Sequence, residues 1–132
     1  MPRSKATKLA LKRVYDPPAA GDGTRILVDR LWPRGIAKDK AAIDLWLKEI
    51  APSDALRHRF HGHPADWKEF CAAYAAELAA PAAQVAAKAL REQMRKGPVT
   101  LLYASRDETH NNAVALKAWL ERPRKGEKDK AS

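Results

Sequence analysis

Two apolar runs, Ile26-Leu27-Val28 and Val99–Ala104, are the length of strands, and each ends abruptly in charged residues. A strand with apolar side chains at successive positions must be buried on both faces, as strands are in a parallel sheet covered on both sides. The first run continues as Asp29-Arg30-Leu31-Trp32-Pro33-Arg34-Gly35, the second as Ser105-Arg106-Asp107-Glu108-Thr109. Polar groups therefore crowd the carboxyl end of each strand. Open α/β sheets bind ligands outside the carboxyl ends of their strands, so the segments that constrain the fold also mark a candidate site.

The remaining chain supplies partners for these strands. Leu9 to Tyr15, with apolar Leu9, Leu11, Val14 and Tyr15, predicts a first strand closed by Asp16-Pro17-Pro18 and the turn residues Gly21-Asp22-Gly23. The link to the second strand, Arg25 to Leu31, is short for a parallel crossover, so local physics also permits a hairpin. Asp39 can cap a helix whose apolar positions Ile43, Trp46, Leu47 and Ile50 follow helical spacing up to Pro52. Ser53 can cap a short helix through Phe60. His61-Gly62-His63 breaks it, and Pro64 opens a helix on which Trp67, Phe70, Tyr74 and Leu78 recur. Pro81 starts an alanine-rich helix to Lys96, with Gly97 as a left-handed cap and Pro98 as a stop. A last helix is expected from His110 to Leu120. The pattern predicts an α/β fold: a small, mainly parallel three- to four-stranded sheet flanked by helices, with a helix-rich middle segment.

At 132 residues, one core is expected. Residues 9–120 would form a single domain between a basic, flexible tail at 1–8 and a charged, flexible tail at 121–132. The formal charge of +9 sits mainly at the ends, since residues 14–120 carry 15 basic against 13 acidic groups. Solubility is a sufficient use for such tails. No stretch approaches the roughly 20 apolar residues of a membrane span, and no signal-peptide region follows Met1. The single cysteine, Cys71, excludes an internal disulfide and agrees with a reducing compartment, so a cytoplasmic protein is expected.

Several chemistries lack their residues. His58, His61 and His63, with Cys71 beyond them, contain metal-ligand types, but no second ligand pair of recognisable spacing exists, so no metal is predicted. No glycine-rich phosphate loop is present and no cofactor is expected. Ser4, Ser53, Ser105 and Ser132 lack a nucleophile-elbow context, which leaves covalent catalysis without an obvious nucleophile.

If the two apolar runs are parallel neighbours, their exits bring Asp29, Arg30, Arg34, Arg106, Asp107, His110, Asn111 and Asn112 to one rim. Arginine presents a planar fork of donors to carboxylate or phosphate, and Asn adds donors and acceptors. Arg30, Arg34 and Arg106 would bind a small anion, with Asn111 and Asn112 positioning it and Asp29, Asp107 and His110 as candidate acid-base groups. The structural alternative has Asp29 pairing with an arginine, Asp107 or Thr109 capping the last helix, and the asparagines tying down its turn. Trp32, between a strand end and Pro33, suits a pocket wall or a lid on the core. Trp46, Trp67, Phe70, Tyr74 and Trp119 are predicted core.

The phrases Lys12-Arg13-Val14-Tyr15-Asp16, Val28-Asp29-Arg30-Leu31-Trp32-Pro33-Arg34-Gly35, Trp46-Leu47-Lys48, Ala51-Pro52-Ser53 and Thr100-Leu101-Leu102-Tyr103-Ala104 resemble the YeaO-like family, a branch of domain of unknown function 488. The likeness runs from about residue 9 to 120 and includes His63-Pro64, Glu77-Leu78 and His110-Asn111-Asn112-Ala113. It implies a small α/β domain with a short, mainly parallel sheet, favouring a truncated crossover between the first two strands. Longer relatives resemble this chain but look as if they carry cysteines near positions 103 and 111–113, where it has none. A thiol-dependent phosphatase or sulfurtransferase reading is therefore disfavoured.

The expectation is a small-anion binder at the strand carboxyl ends, with thiol-independent hydrolase or transferase activity within its reach. Two rivals stand beside it: a nucleic-acid-binding or regulatory protein using Lys5, Lys8, Lys12 and the basic C-terminus, and a non-catalytic interaction module.

Overall fold

Four strands, β1 (Leu9–Arg13), β2 (Thr24–Leu27), β3 (Leu45–Trp46) and β4 (Val99–Tyr103), form one parallel sheet in the order β1-β4-β2-β3. They belong to a computed structural model that describes residues 9–37, 42–60 and 64–122. The two apolar runs are neighbours, as required for a shared rim, with Ile26 opposite Leu101 and Leu27 opposite Leu102. All five residues of β4 are buried, which explains why its sequence does not alternate. No helix among the described residues is long and apolar enough to cross a membrane.

The two sheet faces are covered differently. Leu9, Ile26, Val99 and Leu101 pack into the main core with α1 (Asp54–Phe60), α2 (Trp67–Glu77), α3 (Pro81–Lys96) and α4 (Asn112–Glu121). On the other face Leu27 and Leu102, with Val14, lie against Trp32, Ile36, Ile43 and Trp46. Trp46 and Trp32 thus close a second, smaller core.

The hairpin reading of the link between β1 and β2 does not hold: both strands pair parallel with β4, which lies between them, so the link is the truncated crossover that the resemblance implies. The link returns through a 3₁₀ turn, Ala20–Asp22, which is fixed by charge. Buried Asp22 accepts from Arg25 Nη1 at 2.6 Å, from Lys12 Nζ at 3.2 Å and from the Ala19 amide at 3.0 Å. Lys12, assigned by the nucleic-acid reading to phosphate, is a structural cation held also by the Pro17 carbonyl at 2.9 Å. Lys5 and Lys8 lie outside the described residues.

The helix expected over Ile43 to Ile50 does not form. Its middle is β3, followed by a 3₁₀ turn at Lys48–Ile50. The open edge of β2 prevails over local periodicity: the Asp44 amide donates to Arg25 O at 2.8 Å and the Leu47 amide to Leu27 O at 3.0 Å. Asp39, its expected cap, lies outside the described residues. Ser53 does cap α1, its Oγ accepting from the Leu56 amide at 3.1 Å while donating to Glu77 Oε2 at 2.6 Å. The helix from Pro64 begins as a 3₁₀ turn and becomes α-helical at Trp67, whereas α3 has the predicted limits. Gly97 ends α3 in an extended conformation rather than the expected left-handed one, with φ 163° and ψ −167°.

Candidate functional site

Asp29 is the first residue beyond the apolar run of β2, and it joins the elements that meet there. Its Oδ2 accepts from the Ala104 amide at 2.9 Å, just past β4, and its Oδ1 from Asn112 Nδ2 at 3.0 Å in the first turn of α4. The same Asn112 amide donates to Val28 O at 2.9 Å, and Trp46 Nε1 donates to Asp29 O at 2.7 Å. One side chain therefore ties β2, β4, α4 and the β3 edge together. The predicted structural role of Asp29 is seen, with backbone and amide donors in place of an arginine.

Burial pushes the Asp29 carboxyl above its ordinary value, opposed by the Asn112 and Ala104 hydrogen bonds and by the charge of Arg57. A raised folded-state value means that this group's contribution to stability is full below its unfolded value and is lost as pH rises through the folded one. Asp107 behaves oppositely, because the amides of His110 and Thr109 hold its carboxylate below the usual range. A carboxyl-detected NMR titration should place the Asp29 midpoint above that of Asp107. The reverse order would contradict the burial argument.

Around Asp29 lies a groove of about 740 Å³, bounded by the 29–34 and 104–110 loops and by α1 and α2. Four arginines line it, Arg30, Arg34, Arg57 and Arg106, against two aspartates, Asp29 and Asp107. Arg34 and Arg106 are exposed, and their side chains have no partner among the described residues. Arg34 does contribute its carbonyl, which accepts from Tyr15 Oη at 3.0 Å. Arg30 is committed to the scaffold: Nε donates to Pro52 O at 3.2 Å and Nη2 to Ala51 O at 3.0 Å, fixing the segment that enters α1. It borders the groove without being free to move into it. Trp32 has both predicted uses, lining the groove while its ring meets Trp46 edge-on at 5.5 Å and its Nε1 donates to Ile36 O at 2.7 Å.

The loop after β4 is held by its own side chains. Asp107 Oδ1 accepts from the amides of Thr109 at 3.0 Å and His110 at 2.9 Å, an Asx-type turn. The cap of α4 is Asn111 rather than Asp107 or Thr109: its Oδ1 accepts from the Val114 amide at 2.9 Å and its Nδ2 donates to Asp107 O at 2.8 Å. Asn111 is buried with both amide atoms engaged, whereas Asn112 Oδ1 accepts nothing from the described residues. His110 lies exposed at the groove lip, edge-on to Trp67 at 5.1 Å. Its Nδ1 meets Thr109 Oγ1 at 2.8 Å and Asp107 Oδ2 at 3.7 Å. Both partners address one ring nitrogen, so the trio cannot relay a proton from hydroxyl to carboxylate through the imidazole, which needs both nitrogens.

The sequence reading missed the opposite wall. Arg57 and Phe60 project from α1, and Trp67 and Phe70, expected only as core, also line the groove. Arg57 and Phe60 are three residues apart on a helix, so a shared face was there to be read. What it faced was not. Cys71 is half-buried and its thiol is pushed up by burial, which disfavours the nucleophilic thiolate. No group of three or more His, Cys, Asp or Glu among the described residues is placed to hold a metal; His61 and His63 lie outside them.

Comparison with known proteins places this architecture. A family model described as "Inactive DUF488-N3 subclade" matches residues 8–132. The Uncharacterized protein YeaO of Escherichia coli (strain K12) is 50% identical over 109 residues, covering 83% of this chain and 93% of that protein. The Uncharacterized protein Rv3073c of Mycobacterium tuberculosis (strain ATCC 25618 / H37Rv) is 37% identical over 116 residues, 88% of this chain and 96% of its own length. No solved structure gives a significant match. With the parallel sheet, the Asp29 junction and the phrase Asp29 to Gly35 all accounted for, the chain belongs to the YeaO-like DUF488 family.

Proposed function

We propose that the groove at the carboxyl ends of β2 and β4 reversibly binds a small phosphate- or carboxylate-bearing ligand and does not turn it over. The observation carrying this reading is the pair Arg34 and Arg106: two exposed guanidiniums on separate loops, without partners among the described residues, border the same groove. Arg57 adds a third cation across from them; its exposed pairing with Asp54 at 2.8 Å is weak enough to exchange for a ligand. A concave cationic surface with apolar walls focuses its field on an anion.

The non-catalytic half of the proposal rests on the prior commitments of the candidate acid-base groups. Asp29 is spent on two hydrogen bonds that hold the sheet rim, and Asp107 on its own turn. His110 lies exposed at the groove lip rather than in a desolvated site, with only its Nδ1 engaged among the described residues. The word "Inactive" in the matching family description agrees with this.

Titration calorimetry of the full chain with inorganic phosphate, pyrophosphate and citrate tests the reading. Charge-assisted hydrogen bonds contribute about 1.5 to 3 kcal/mol each, so Arg34→Ala and Arg106→Ala should each weaken binding on the order of tenfold or more. Amide shifts at Ala104 and Asn112 should accompany binding. Affinity that survives the double substitution would overturn the proposal. If the chain instead bound nucleic acid with steep salt dependence, indifferent to Arg34 and Arg106, the rival class would stand.

A further inference from the structure

Resting on the anion-binding reading, we propose that the ligand of this groove is a nucleoside monophosphate, a phosphate carrying a flat ring through a hydroxyl-bearing linker, rather than a bare anion.

Three features of the groove ask for more than a phosphate. The first is size. Pockets of about 300 to 1,000 Å³ enclose molecules of drug size, and the groove, at about 740 Å³, is many times larger than one phosphate group. The second is the division of its walls. Arg34 and Arg106 stand on the loops that leave β2 and β4, whereas α1 and α2 contribute Phe60, Trp67 and Phe70. Trp67 stacks on Phe70 at 5.5 Å with 20° between the planes, and Phe60 meets Phe70 at 5.8 Å, so these rings form one continuous apolar wall. Phe60 and Trp67 are only half-buried. An inorganic anion gains nothing from such a wall, while a flat base packs against it whatever its identity.

The third feature is the chemistry of the floor. Asn112 Oδ1 accepts nothing from the described residues, and the Asp29 carboxylate, which also lines the groove, keeps lone pairs beyond the two donors that hold it. Both are acceptors. A carboxylate repels an anion seated against it, yet both groups suit hydroxyl donors on a linker joining the phosphate to the ring. Cations on the loops, acceptors on the floor and aromatic rings on the helices match, in turn, phosphate, sugar and base. The two loop arginines also suit a dianionic phosphate better than a single carboxylate.

Tryptophan fluorescence and calorimetry on the full chain can separate these contributions, since Trp32 and Trp67 both line the groove. The probes are adenosine and uridine monophosphates, ribose 5-phosphate, adenosine and inorganic phosphate. Both nucleotides should bind at least tenfold more tightly than ribose 5-phosphate or adenosine. Arg106→Ala should weaken the nucleotides without affecting adenosine. Phe60→Ala should remove most of the advantage of nucleotide over ribose 5-phosphate, and Phe60→Leu, which keeps apolar volume in the wall, should show the same trend if the alanine variant folds poorly. Equal affinity for ribose 5-phosphate and the nucleotides would overturn the nucleotide assignment and leave the anion reading intact. Failure of every phosphate to bind would overturn both. A 5′-phosphorylated hexanucleotide binding more than tenfold tighter than the mononucleotides would assign the groove to nucleic-acid ends and overturn a free nucleotide as ligand.

Discussion

Gly23→Ala is expected to destabilise the protein by about 4 kcal/mol or more, the range in which backbone strain and steric overlap combine. Gly23 has φ +65° and ψ −136°, a conformation essentially restricted to glycine. A Cβ there would stand 2.2 Å from the Pro98 carbonyl oxygen and 2.7 Å from its carbon, and both are backbone atoms. Neither side can yield cheaply. The Thr24 amide donates to that same oxygen at 3.0 Å, so moving Pro98 away breaks the first contact between β2 and β4. For a domain of this size the loss corresponds to a fall in Tm on the order of 10 to 20 °C. Gly21→Ala, two residues earlier in the 3₁₀ turn, meets nothing within 4 Å and should change stability by less than about 1 kcal/mol. Urea unfolding of the two variants makes the comparison, and a Gly23→Ala protein that melts within a few degrees of wild type would contradict the argument.

Asp22→Ala should cost about 3 kcal/mol, near the lower end for breaking a buried ion pair. The substitution leaves the buried Arg25 guanidinium without its carboxylate and removes the acceptor for Lys12 and the Ala19 amide. Arg25 keeps the Ala42 carbonyl, at 2.8 Å from Nε, and Lys12 is partly open to water, so the upper end of the range does not apply. The effect has a pH signature. The Ala19 amide, Arg25 and Lys12 hold the Asp22 carboxyl below its ordinary value against the opposing effect of burial. For a carboxyl whose folded-state value is lowered, the stabilisation is present above its unfolded value and is lost as pH falls through the folded one. The gap between wild type and Asp22→Ala should therefore be full at neutral pH and narrow below about pH 4. Denaturation midpoints at pH 7 and pH 3 measure it, and a constant gap would show that charge is not what Asp22 contributes.

Both variants act on the short return from β1 to β2, the segment where local reading was least secure. Gly21-Asp22-Gly23 is legible as a turn, but its part in an indirect crossover depends on β4, 76 residues after Gly23 in the chain, entering between the first two strands. The helix expected from Ile43, Trp46, Leu47 and Ile50 failed for a related reason. Helical spacing is a local signal, and the unpaired edge of β2 is a tertiary one that offered Asp44 and Leu47 backbone partners.

The candidate site divides in the same way. The rim from Asp29 to Arg34 and from Arg106 to Asn112 was legible, because strand exits and a helix start are written in contiguous residues. Which rim residues are free was not. Arg30 and Arg34 look alike in sequence, yet one is fixed by the Ala51 and Pro52 carbonyls and the other is not. Asn111 and Asn112 are adjacent, yet one is a buried cap with both amide atoms engaged and the other has an oxygen that accepts nothing from the described residues. Arg57, Phe60 and Trp67 reach the groove only because α1 and α2 fold back over the sheet ends.

By itself, then, the sequence determined a small, mainly parallel α/β sheet with polar strand exits, because apolar run length and turn chemistry are properties of neighbouring residues. Strand order, the sheet-edge pairing of Leu45 and Trp46, and the division of rim side chains into scaffold donors and donors without a partner among the described residues were decided only in three dimensions. Each depends on hydrogen-bond partners supplied by segments far away in the chain.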